Sequence, residues 1–302
     1  MTTHIELNKV LVVYKKSLYD LYKESSDPKI KEYVIADTEE GIRLRESSER
    51  QKRSLEKVIQ SLNQCGINYD AIYRADLIQP NGFDLVISVG GDGTFFEVSR
   101  FVRDETPVFG INSDPKLSKG IFTHCSAENF EQQLIQINEI PKHQLYRLHM
   151  ILNGTKIEEP ALNDILIAHK VPAAGTRYSL EANGQEVKDE SGKKKQFSNY
   201  GLLINTAAGS TGAAFNQGGE IMPLDSRSIQ FYHRRARNAK FHFAENMKIF
   251  SRTREGKIYV DGEHMVYDFS LGSVLEINTG IPLTVVGDLE RKRKGFLEDY
   301  AE

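Results

Sequence analysis

The sequence contains little cysteine. Its 302 residues include two, Cys65 and Cys125, which lie far apart and form no C-x-x-C motif or Cys/His cluster. We therefore predict that both thiols are reduced and structural. The eight histidines show no H-E-x-x-H or other ligand spacing, so we expect no zinc site.

Long apolar runs and an excess of positive charge are also missing. No apolar run approaches the ~20 residues that span a bilayer. Residues 1–9 lack both the apolar core of a secretory signal and the acid-poor, Arg-rich composition of a transit peptide. The formal net charge of −3 gives no support for nucleic-acid binding. We expect a cytoplasmic protein with no membrane or nucleic-acid partner.

The composition present, 39% hydrophobic and 27% charged, is that of a globular protein with one large or two medium domains. Its central feature is an apolar strand, residues 85–89, that runs into a glycine-rich turn. A strand without polar alternation is buried on both faces, as in a parallel sheet covered by helices. The turn then lies at the carboxyl end of the strand, where open α/β sheets bind ligands, and the helix predicted over residues 95–103 offers free N–H groups to a phosphate.

Asp92 is the unusual residue of this turn, because an acid among phosphate-binding amides repels the ligand unless it has a task. Two tasks suit it: accepting a proton from an attacking hydroxyl, or holding a phosphate-bound Mg²⁺. The turn is neither the G-x-G-x-x-G motif nor a P-loop, because no Lys-Ser/Thr pair follows the glycines. The alternative is a purely structural turn in which Asp92 caps the helix.

The first half of the chain alternates strands and helices. Apolar spacing over residues 55–62 predicts a helix that ends near Gly66, and residues 129–138 predict another. Residues 17–47 are highly charged and are interpreted as a mobile insertion between the first strand and its helix. Together with the strand at 85–89, the predicted strands give a right-handed, Rossmann-like sheet; they cover residues 10–14, 68–73 and 108–111. Asn112 ends the last of these strands, so we expect it to line the same cleft as Gly90.

From about Tyr146 polar and apolar residues alternate, and Asn-Gly pairs mark turns at Asn153 and Asn183. This pattern predicts a mainly antiparallel β domain. Residues 283–286 and a charged helix from about Leu289 indicate a return to the first domain. We place the α/β domain at 1–144, completed by about 287–302, and the β-rich domain at 145–286.

Three basic runs interrupt the second half of the chain, at residues 193–195, 233–237 and 291–294. The last two could pair with donor or acceptor phosphates, or with acids of another subunit. Such runs are more often solvated faces, and this is the interpretation for 193–195.

Gly90-Gly91-Asp92-Gly93-Thr94 resembles the GGDGT signature shared by NAD kinases, by diacylglycerol and sphingosine kinases and, more loosely, by 6-phosphofructokinases. Three later stretches are similar to NAD kinases in particular and occur in the expected order: Leu162-Asn163-Asp164, Gly209-Ser210-Thr211-Gly212 with Gly218-Gly219, and Asp261-Gly262. Residues 111–120 resemble the mitochondrial-type branch of that family.

This resemblance implies an NAD kinase-like two-domain architecture and transfer of the γ-phosphoryl group of ATP to the 2′-hydroxyl of the adenosine ribose of NAD, giving NADP. Asp92 would be the general base, and Mg²⁺ would be carried on the phosphates, since the sequence shows no dedicated carboxylate cage. The donor phosphates would bind Gly90, Gly91, Gly93 and Thr94. The residues implied for NAD binding are Asn112, Asn163, Asp164, Gly209, Ser210, Thr211, Gly212 and Asp261. The family tends to be oligomeric, so the resemblance also implies a homodimer or homotetramer.

Two departures from the family pattern leave other functions open. Ala213 stands where the family usually has a Tyr that stacks on the nucleotide, and Tyr200 stands where an acid commonly precedes Gly-Leu. Losing a stacking ring forfeits on the order of 1 kcal/mol, unless Tyr200 restores a stack from another direction. One alternative is a catalytically silent NAD(P)-binding sensor, which the intact Asp92 disfavours, and a less favoured one is a diacylglycerol-type lipid kinase.

Overall fold

The computed structural model describes residues 4–188, 192, 196–234, 240–263 and 265–301. The basic run at 193–195 and residues 235–237 of the run at 233–237 therefore lie outside the described residues. The helices are α1 Leu18–Tyr22, α2 Pro28–Ile35, α3 Glu39–Gln64, α4 Asp92–Phe101, α5 Phe130–Ile135 and α6 Leu289–Ala301. The strands are β1 Lys9–Tyr14, β2 Asn68–Tyr73, β3 Leu85–Gly90, β4 Val108–Asn112, β5 Cys125–Ser126, β6 Lys142–Leu145, β7 Leu148–Leu152, β8 Thr155–Ala161, β9 Asp164–His169, β10 Thr176–Ala182, β11 Gln185–Glu186, β12 Phe197–Asn199, β13 Leu202–Asn205, β14 Ile229–His233, β15 Phe241–Ala244, β16 Asn246–Ser251, β17 Gly256–Val260, β18 Met265–Asp268, β19 Val274–Thr279 and β20 Leu283–Val286.

The chain divides into two compact units, Met1–His143 with Leu283–Glu302, and Gln144–Pro282. The chain returns to the first unit at Leu283 rather than near residue 287, because β20 is a parallel neighbour of β4. None of the helices described here is long and apolar enough to cross a membrane. Cys65 and Cys125 are both free thiols.

The first unit is built on a sheet with strand order β2-β1-β3-β4-β20-β6, and β5 pairs with the end of β4. The pairs β1–β2, β1–β3, β3–β4 and β4–β20 are parallel, which confirms the Rossmann-like sheet. Helices α3 and α5 bury their apolar faces against it. The core residues that these helices share with β1, β3 and β4 include Val10, Val12, Val58, Leu62, Ile87, Val89, Phe109, Ile111, Phe130 and Leu134. Helix α3 ends where predicted, and Gly66 follows it with a positive φ of 68°.

The charged segment 17–47 is largely helical, and its residues from Glu39 onward belong to α3 rather than to an insertion before that helix. Ser17, Asp27 and Thr38 cap α1, α2 and α3 by accepting a backbone N–H two or three residues later. Asp20 then joins α1 to α3, because it accepts hydrogen bonds from Ser48 Oγ at 2.6 Å and Lys52 Nζ at 2.8 Å. The charges are used in contacts between helices, which charge density alone does not reveal.

Helix α4 begins at Asp92, three residues before the predicted start at Phe95. Its N-cap is Gly91, whose carbonyl accepts the N–H groups of Thr94 at 3.0 Å and Phe95 at 3.1 Å. Asp92 is therefore the first helical residue and not the cap, which removes the capping interpretation of its side chain.

The second unit contains two antiparallel sheets. Their strand orders are β11-β10-β16-β19-β7-β8, with β12 beside β10, and β15-β14-β13-β9-β17-β18. Alternate residues of both sheets share one core, as the sequence pattern predicts, among them Leu148, Met150, Tyr178, Leu180, Ile165, Ile167, Ile204, Phe231 and Ile258. The predicted turns are also present, since Asn153 and Asn183 have positive φ and each precedes a glycine with positive φ.

Candidate nucleotide and phosphate sites

The glycines after β3 serve two different purposes. A Cβ on Gly90 would overlap the side chain of Thr94, so this glycine lets α4 pack closely on the strand. A Cβ on Gly93 would meet nothing within 4 Å, so packing within the protein does not require a glycine there. Gly93 is exposed in the first turn of α4, where N–H groups point out of the helix. The free space beside it is available to a ligand.

Asp92 points back at the loop formed by residues 112–123. One carboxylate oxygen accepts the N–H of Phe122 at 2.9 Å, and the other accepts the N–H of Ile121 at 3.1 Å. Burial raises the pKa of Asp92, although these two hydrogen bonds and the charge of Lys292 act in the opposite direction. A carboxylate of raised pKa is a stronger base than an ordinary aspartate.

Asn112 lies opposite Gly90 in the β3–β4 register, as expected, but its amide is used inside the 112–123 loop. Its Nδ2 donates to Ser118 O at 2.8 Å, and its Oδ1 accepts the N–H of Asp114 at 3.1 Å. Gly120 takes φ of 61° within the same loop, and a Cβ there would collide with Thr123 and Asn112. The geometry makes Asn112 an organiser of the loop that holds Asp92.

Helix α3 fixes the same loop from the outside. Asp114 is 4% exposed and accepts Arg50 Nε at 2.8 Å, Arg50 Nη2 at 3.1 Å and Ser47 Oγ at 2.8 Å. Ser54 Oγ donates to the carbonyl of Ser113 at 3.0 Å. Sequence reasoning missed these contacts because Ser47 was assigned to an insertion, and because no local pattern connects Arg50 to Asp114.

The second unit brings together stretches that are far apart in sequence. Residues 162–163 connect β8 to β9, which begins at Asp164. The carboxylate of Asp261, which follows β17, accepts the backbone N–H groups of all three residues, 162–164. These are the N–H groups of Asn163 at 2.8 Å, Leu162 at 2.9 Å and Asp164 at 3.1 Å. Asp261 has φ of 47° and is 7% exposed. With three backbone N–H groups bound to it, the buried carboxylate of Asp261 shapes this turn.

The glycine-rich segment 209–212 lies directly on this turn. A Cβ on Gly209 would overlap the carbonyl of Asn163, and one on Gly212 would lie 3.2 Å from Asn163 Oδ1. Thr206 joins the two segments, since its Oγ1 donates to Leu162 O at 2.5 Å and accepts the N–H of Gly209 at 2.9 Å. The geometry therefore places Gly209 and Gly212 directly against Asn163, with Thr211 preceding Gly212 in the same segment.

Ser210 belongs to the same segment but faces inward. It is fully buried, and its hydroxyl donates to Ala207 O at 2.7 Å and accepts the N–H of Met222 at 3.0 Å. Any contact of Ser210 with a ligand would have to come from its backbone.

A cavity of about 480 Å³ opens beside Asp164. Asp164, Leu166 and Ala168 alternate with core residues along β9 and face this cavity, and Tyr259 lies opposite Leu166 on β17. Its wall also includes Tyr200, which is 45% exposed, and Arg234. The cavity thus offers aromatic, cationic and acidic side chains within the second unit. Tyr259 was missed, although aromatic residues on the outer face of a two-sided sheet are a usable signal. Arg234 belongs to the basic run 233–237, for which pairing with phosphates was one of two interpretations.

Asp164 has an unusual protonation equilibrium. Burial, followed by repulsion from the nearby negative charge of Asp261, raises the pKa of Asp164 to about 7. Its Oδ2 accepts Asn163 Nδ2 at 3.0 Å. Near neutral pH the side chain can therefore either donate or accept a hydrogen bond.

We expect Asp164→Asn to be more stable than the wild type at about pH 8, by about 1–3 kcal/mol, and nearly equal to it at about pH 4. Because the pKa of Asp164 is raised in the folded protein, this carboxyl group ionises at a lower pH, from about pH 4, in the unfolded chain than in the folded one. The wild type therefore loses stability between about pH 4 and about pH 7, and the uncharged variant lacks this loss. Urea unfolding at both pH values measures the difference, and a difference that is independent of pH would contradict the assignment.

Among the described residues, no group of three or more His, Cys, Asp or Glu side chains could hold a metal ion.

The fold defines the general class of the protein. The chain is similar to a crystal structure of an NAD kinase from Archaeoglobus fulgidus in complex with ATP, with a TM-score of 0.68 and 20% identity, over 96% of this chain and 98% of that one. It is also similar to yeast NADH kinase complexed with NADH, with a TM-score of 0.66 and 17% identity, over 97% and 87% of the two chains. The two-unit fold is that of NAD kinases.

Sequence relatives define the family. A probable NADH kinase of Oryza sativa subsp. japonica is 32% identical over 253 residues, 74% of this chain and 77% of the relative. An NADH kinase of Arabidopsis thaliana is 32% identical over 261 residues, 74% of this chain and 78% of the relative. The ATP-NAD kinase N-terminal domain matches residues 3–142. The protein belongs to the ATP-NAD kinase family.

Proposed function

We propose that this protein transfers the γ-phosphoryl group of ATP to the 2′-hydroxyl of the adenosine ribose of NAD or NADH. The sequence pointed to NAD, and the plant relatives are named as NADH kinases, so the proposal includes both oxidation states. The observation that carries the proposal is the placement of Asp92, a base of raised pKa at the carboxyl end of β3 beside the open space at Gly93.

In the proposed reaction, Asp92 takes the proton of the ribose hydroxyl. A bond forms between the ribose oxygen and the γ-phosphorus, while the bond from that phosphorus to the bridging oxygen breaks, and ADP leaves with the electron pair. The backbone N–H groups around Gly91 and Gly93 seat the donor phosphates. Gly90 and Thr94 support them by packing β3 against α4. Mg²⁺ bound to the phosphates themselves would supply neutralisation of their charge.

The acceptor nucleotide is assigned to the second unit. Asn163, Asp164, Gly209, Thr211 and Gly212 are proposed to contact it. An amide can pair with the edge of an adenine and a carboxylate can accept from ribose hydroxyls. Asn112, Ser210 and Asp261 contribute through the loops that they fix. Tyr200, which opens onto the same cavity as Asp164, replaces the stacking ring that Ala213 lacks.

The direct test supplies purified protein with ATP and Mg²⁺ and, in parallel, NAD, NADH or diacylglycerol. Formation of NADP or NADPH supports the proposal, and the ratio of the two rates gives the preferred oxidation state. Binding of NAD or NADH without product indicates the silent sensor instead, and a phosphorylated lipid indicates the lipid-kinase alternative.

Gly93→Ala is expected to raise the free energy of unfolding by about 0.5 kcal/mol and to lower kcat/KM by about tenfold or more. Alanine favours the helix and meets no protein atom there, but its methyl group occupies the space proposed for phosphate. Chemical denaturation and steady-state kinetics measure the two effects. Gly90→Ala provides the contrast, because its Cβ would overlap Thr94 and should reduce stability and activity together. Full activity of Gly93→Ala would mean that no phosphate lies at Gly93.

A further inference from the structure

A second cavity, of about 550 Å³, lies in the first unit between the 112–123 loop and α6. Three of its lining residues border the glycine turn. Asn112 pairs with Gly90, the N–H of Ile121 donates to Asp92, and Ser118 Oγ lies 3.0 Å from where a Cβ of Gly91 would be. The cavity is therefore adjacent to the proposed general base.

The charge of this cavity is positive. Lys119, Arg291 and Lys292 line it, and none of the described residues that line it is acidic. Arg291 is largely exposed, and its Nε lies 4.0 Å from Asp288 Oδ2. The Lys119 ammonium lies over the ring of Phe296, 5.4 Å from the ring centroid. These two cations already have neighbours of their own.

His124 also lines the cavity, but both of its ring nitrogens have partners within the fold. The backbone N–H of Asp288 donates to its Nδ1 at 3.1 Å, so the ring carries its proton on Nε2, which lies 2.7 Å from Gln133 Oε1. Both ring nitrogens are used within the fold in the neutral tautomer. An anion in the cavity would have to bind other groups.

Lys292 differs from Lys119 and Arg291, which contact an aromatic ring and a carboxylate. It is half-buried on α6, and its ammonium makes no hydrogen bond or ion pair with any residue that the structure describes. Burial and the neighbouring Arg291 lower the pKa of Lys292, whereas Asp92 and Cys125 raise it. A half-buried ammonium that no hydrogen bond or ion pair with a described residue satisfies is unfavourable for the fold alone, which points to a ligand.

We propose that this cavity binds the phosphate chain of the phosphoryl donor and that Lys292 is its main cationic ligand. The inference deepens the proposed kinase function and rests on it for the identity of the ligand. A phosphate chain is the chemistry that fits: several negative oxygens, next to the turn that seats the transferred phosphate. ATP and inorganic polyphosphate both supply it. The basic run at 291–294 is then more than a solvated face.

The test compares Lys292→Met with Lys294→Met in the full-length protein. Lys294 is a matched control because it lies on the same helix, is 79% exposed and has Glu298 at 4.0 Å. Isothermal titration with inorganic tripolyphosphate, without any dinucleotide, is expected to show binding to wild type and to Lys294→Met. Lys292→Met should weaken it by about tenfold or more, and Lys292→Arg should restore part of the loss. Thermal melts confirm that each variant is folded.

A parallel titration with ATP identifies the source of the phosphate chain. Tighter binding of ATP than of tripolyphosphate by the wild type indicates a nucleotide donor, and the reverse order indicates polyphosphate. Either order supports the proposal that the cavity binds a phosphate chain. Equal losses in Lys292→Met and Lys294→Met, or no loss in Lys292→Met, would overturn the assignment. Because these titrations need no turnover, they stand even if no NADP or NADPH is formed. In kinetics, Lys292→Met should raise the KM for ATP by about tenfold and leave that for NAD or NADH nearly unchanged.

Discussion

Replacing Asp92 with asparagine is expected to lower kcat by about 10²–10⁴-fold, with little change in the Kd for NAD or NADH. Asparagine has the same shape but cannot accept the proton of the ribose hydroxyl. The acceptor nucleotide is assigned to residues of the second unit, so its binding should persist. Product formation and equilibrium dialysis measure the two quantities separately.

Asp84→Asn is the control for Asp92→Asn. Asp84 also accepts two backbone N–H groups, those of Asn8 and Lys9, both at 2.8 Å, but it precedes β3 and lies at the strand end opposite the glycine turn. The kcat of Asp84→Asn should match that of the wild type. The pH profile adds a second check. Activity of the wild type should fall as the pH drops through the raised pKa of Asp92, because the base is then protonated. A kcat of Asp92→Asn within about threefold of the wild-type value would remove Asp92 from the role of base.

Asp261→Ala is expected to lower the free energy of unfolding by about 3–5 kcal/mol and to weaken binding of NAD or NADH by at least about tenfold. The substitution leaves three backbone N–H groups of residues 162–164 without their acceptor and puts a Cβ without a polar side chain at positive φ. The stability and the nucleotide affinity of Asp261→Asn should lie between those of the wild type and of Asp261→Ala, since asparagine tolerates this φ and retains one acceptor oxygen. Urea unfolding and dialysis measure both effects.

Asp268→Ala is the matched control, because Asp268 lies on the neighbouring strand β18 and forms an exposed ion pair with Lys257 at 2.7 Å. The free energy of unfolding of Asp268→Ala should be less than about 1 kcal/mol below that of the wild type. Removal of Asp261 should also lower the pKa of Asp164, because one of its two causes is then absent. Stability of Asp261→Ala equal to that of Asp268→Ala would show that the turn does not depend on this carboxylate.

Local patterns predicted much of the fold. The buried strand β3, the Asn-Gly hairpins and the alternating strands of the second unit follow from residues that are near one another in sequence. The helices of segment 17–47 were not predicted, because their charges form contacts with another helix: Asp20 accepts hydrogen bonds from Ser48 and Lys52, far along the chain. A run of charges has the same appearance whether it faces water or another helix.

The candidate sites were predictable only in part. The resemblance named Asn163, Gly209 and Asp261, and the structure brings these three together. It did not indicate that Asp261 acts on the backbone, that Arg50 fixes Asp114, or that Lys292 lies near Asp92. Each of these relations joins residues separated by tens to hundreds of positions, where no periodicity operates, so side-chain contacts in three dimensions are needed to find them.

The position of β20 affects how the protein can be made. It lies between β4 and β6 in the first sheet, yet it is synthesised after the whole of the second unit. On the ribosome, the first residues of β4 therefore lack their partner strand until β20 has been synthesised, whereas residues 144–282 form one continuous segment that can fold earlier. The region 3–142 that matches the family's N-terminal domain is not a complete folding unit in this chain. A premature stop codon shortly before Leu283 would remove an inner strand along with the helix that carries Lys292, and the nascent chain would then be a substrate for chaperones and proteases.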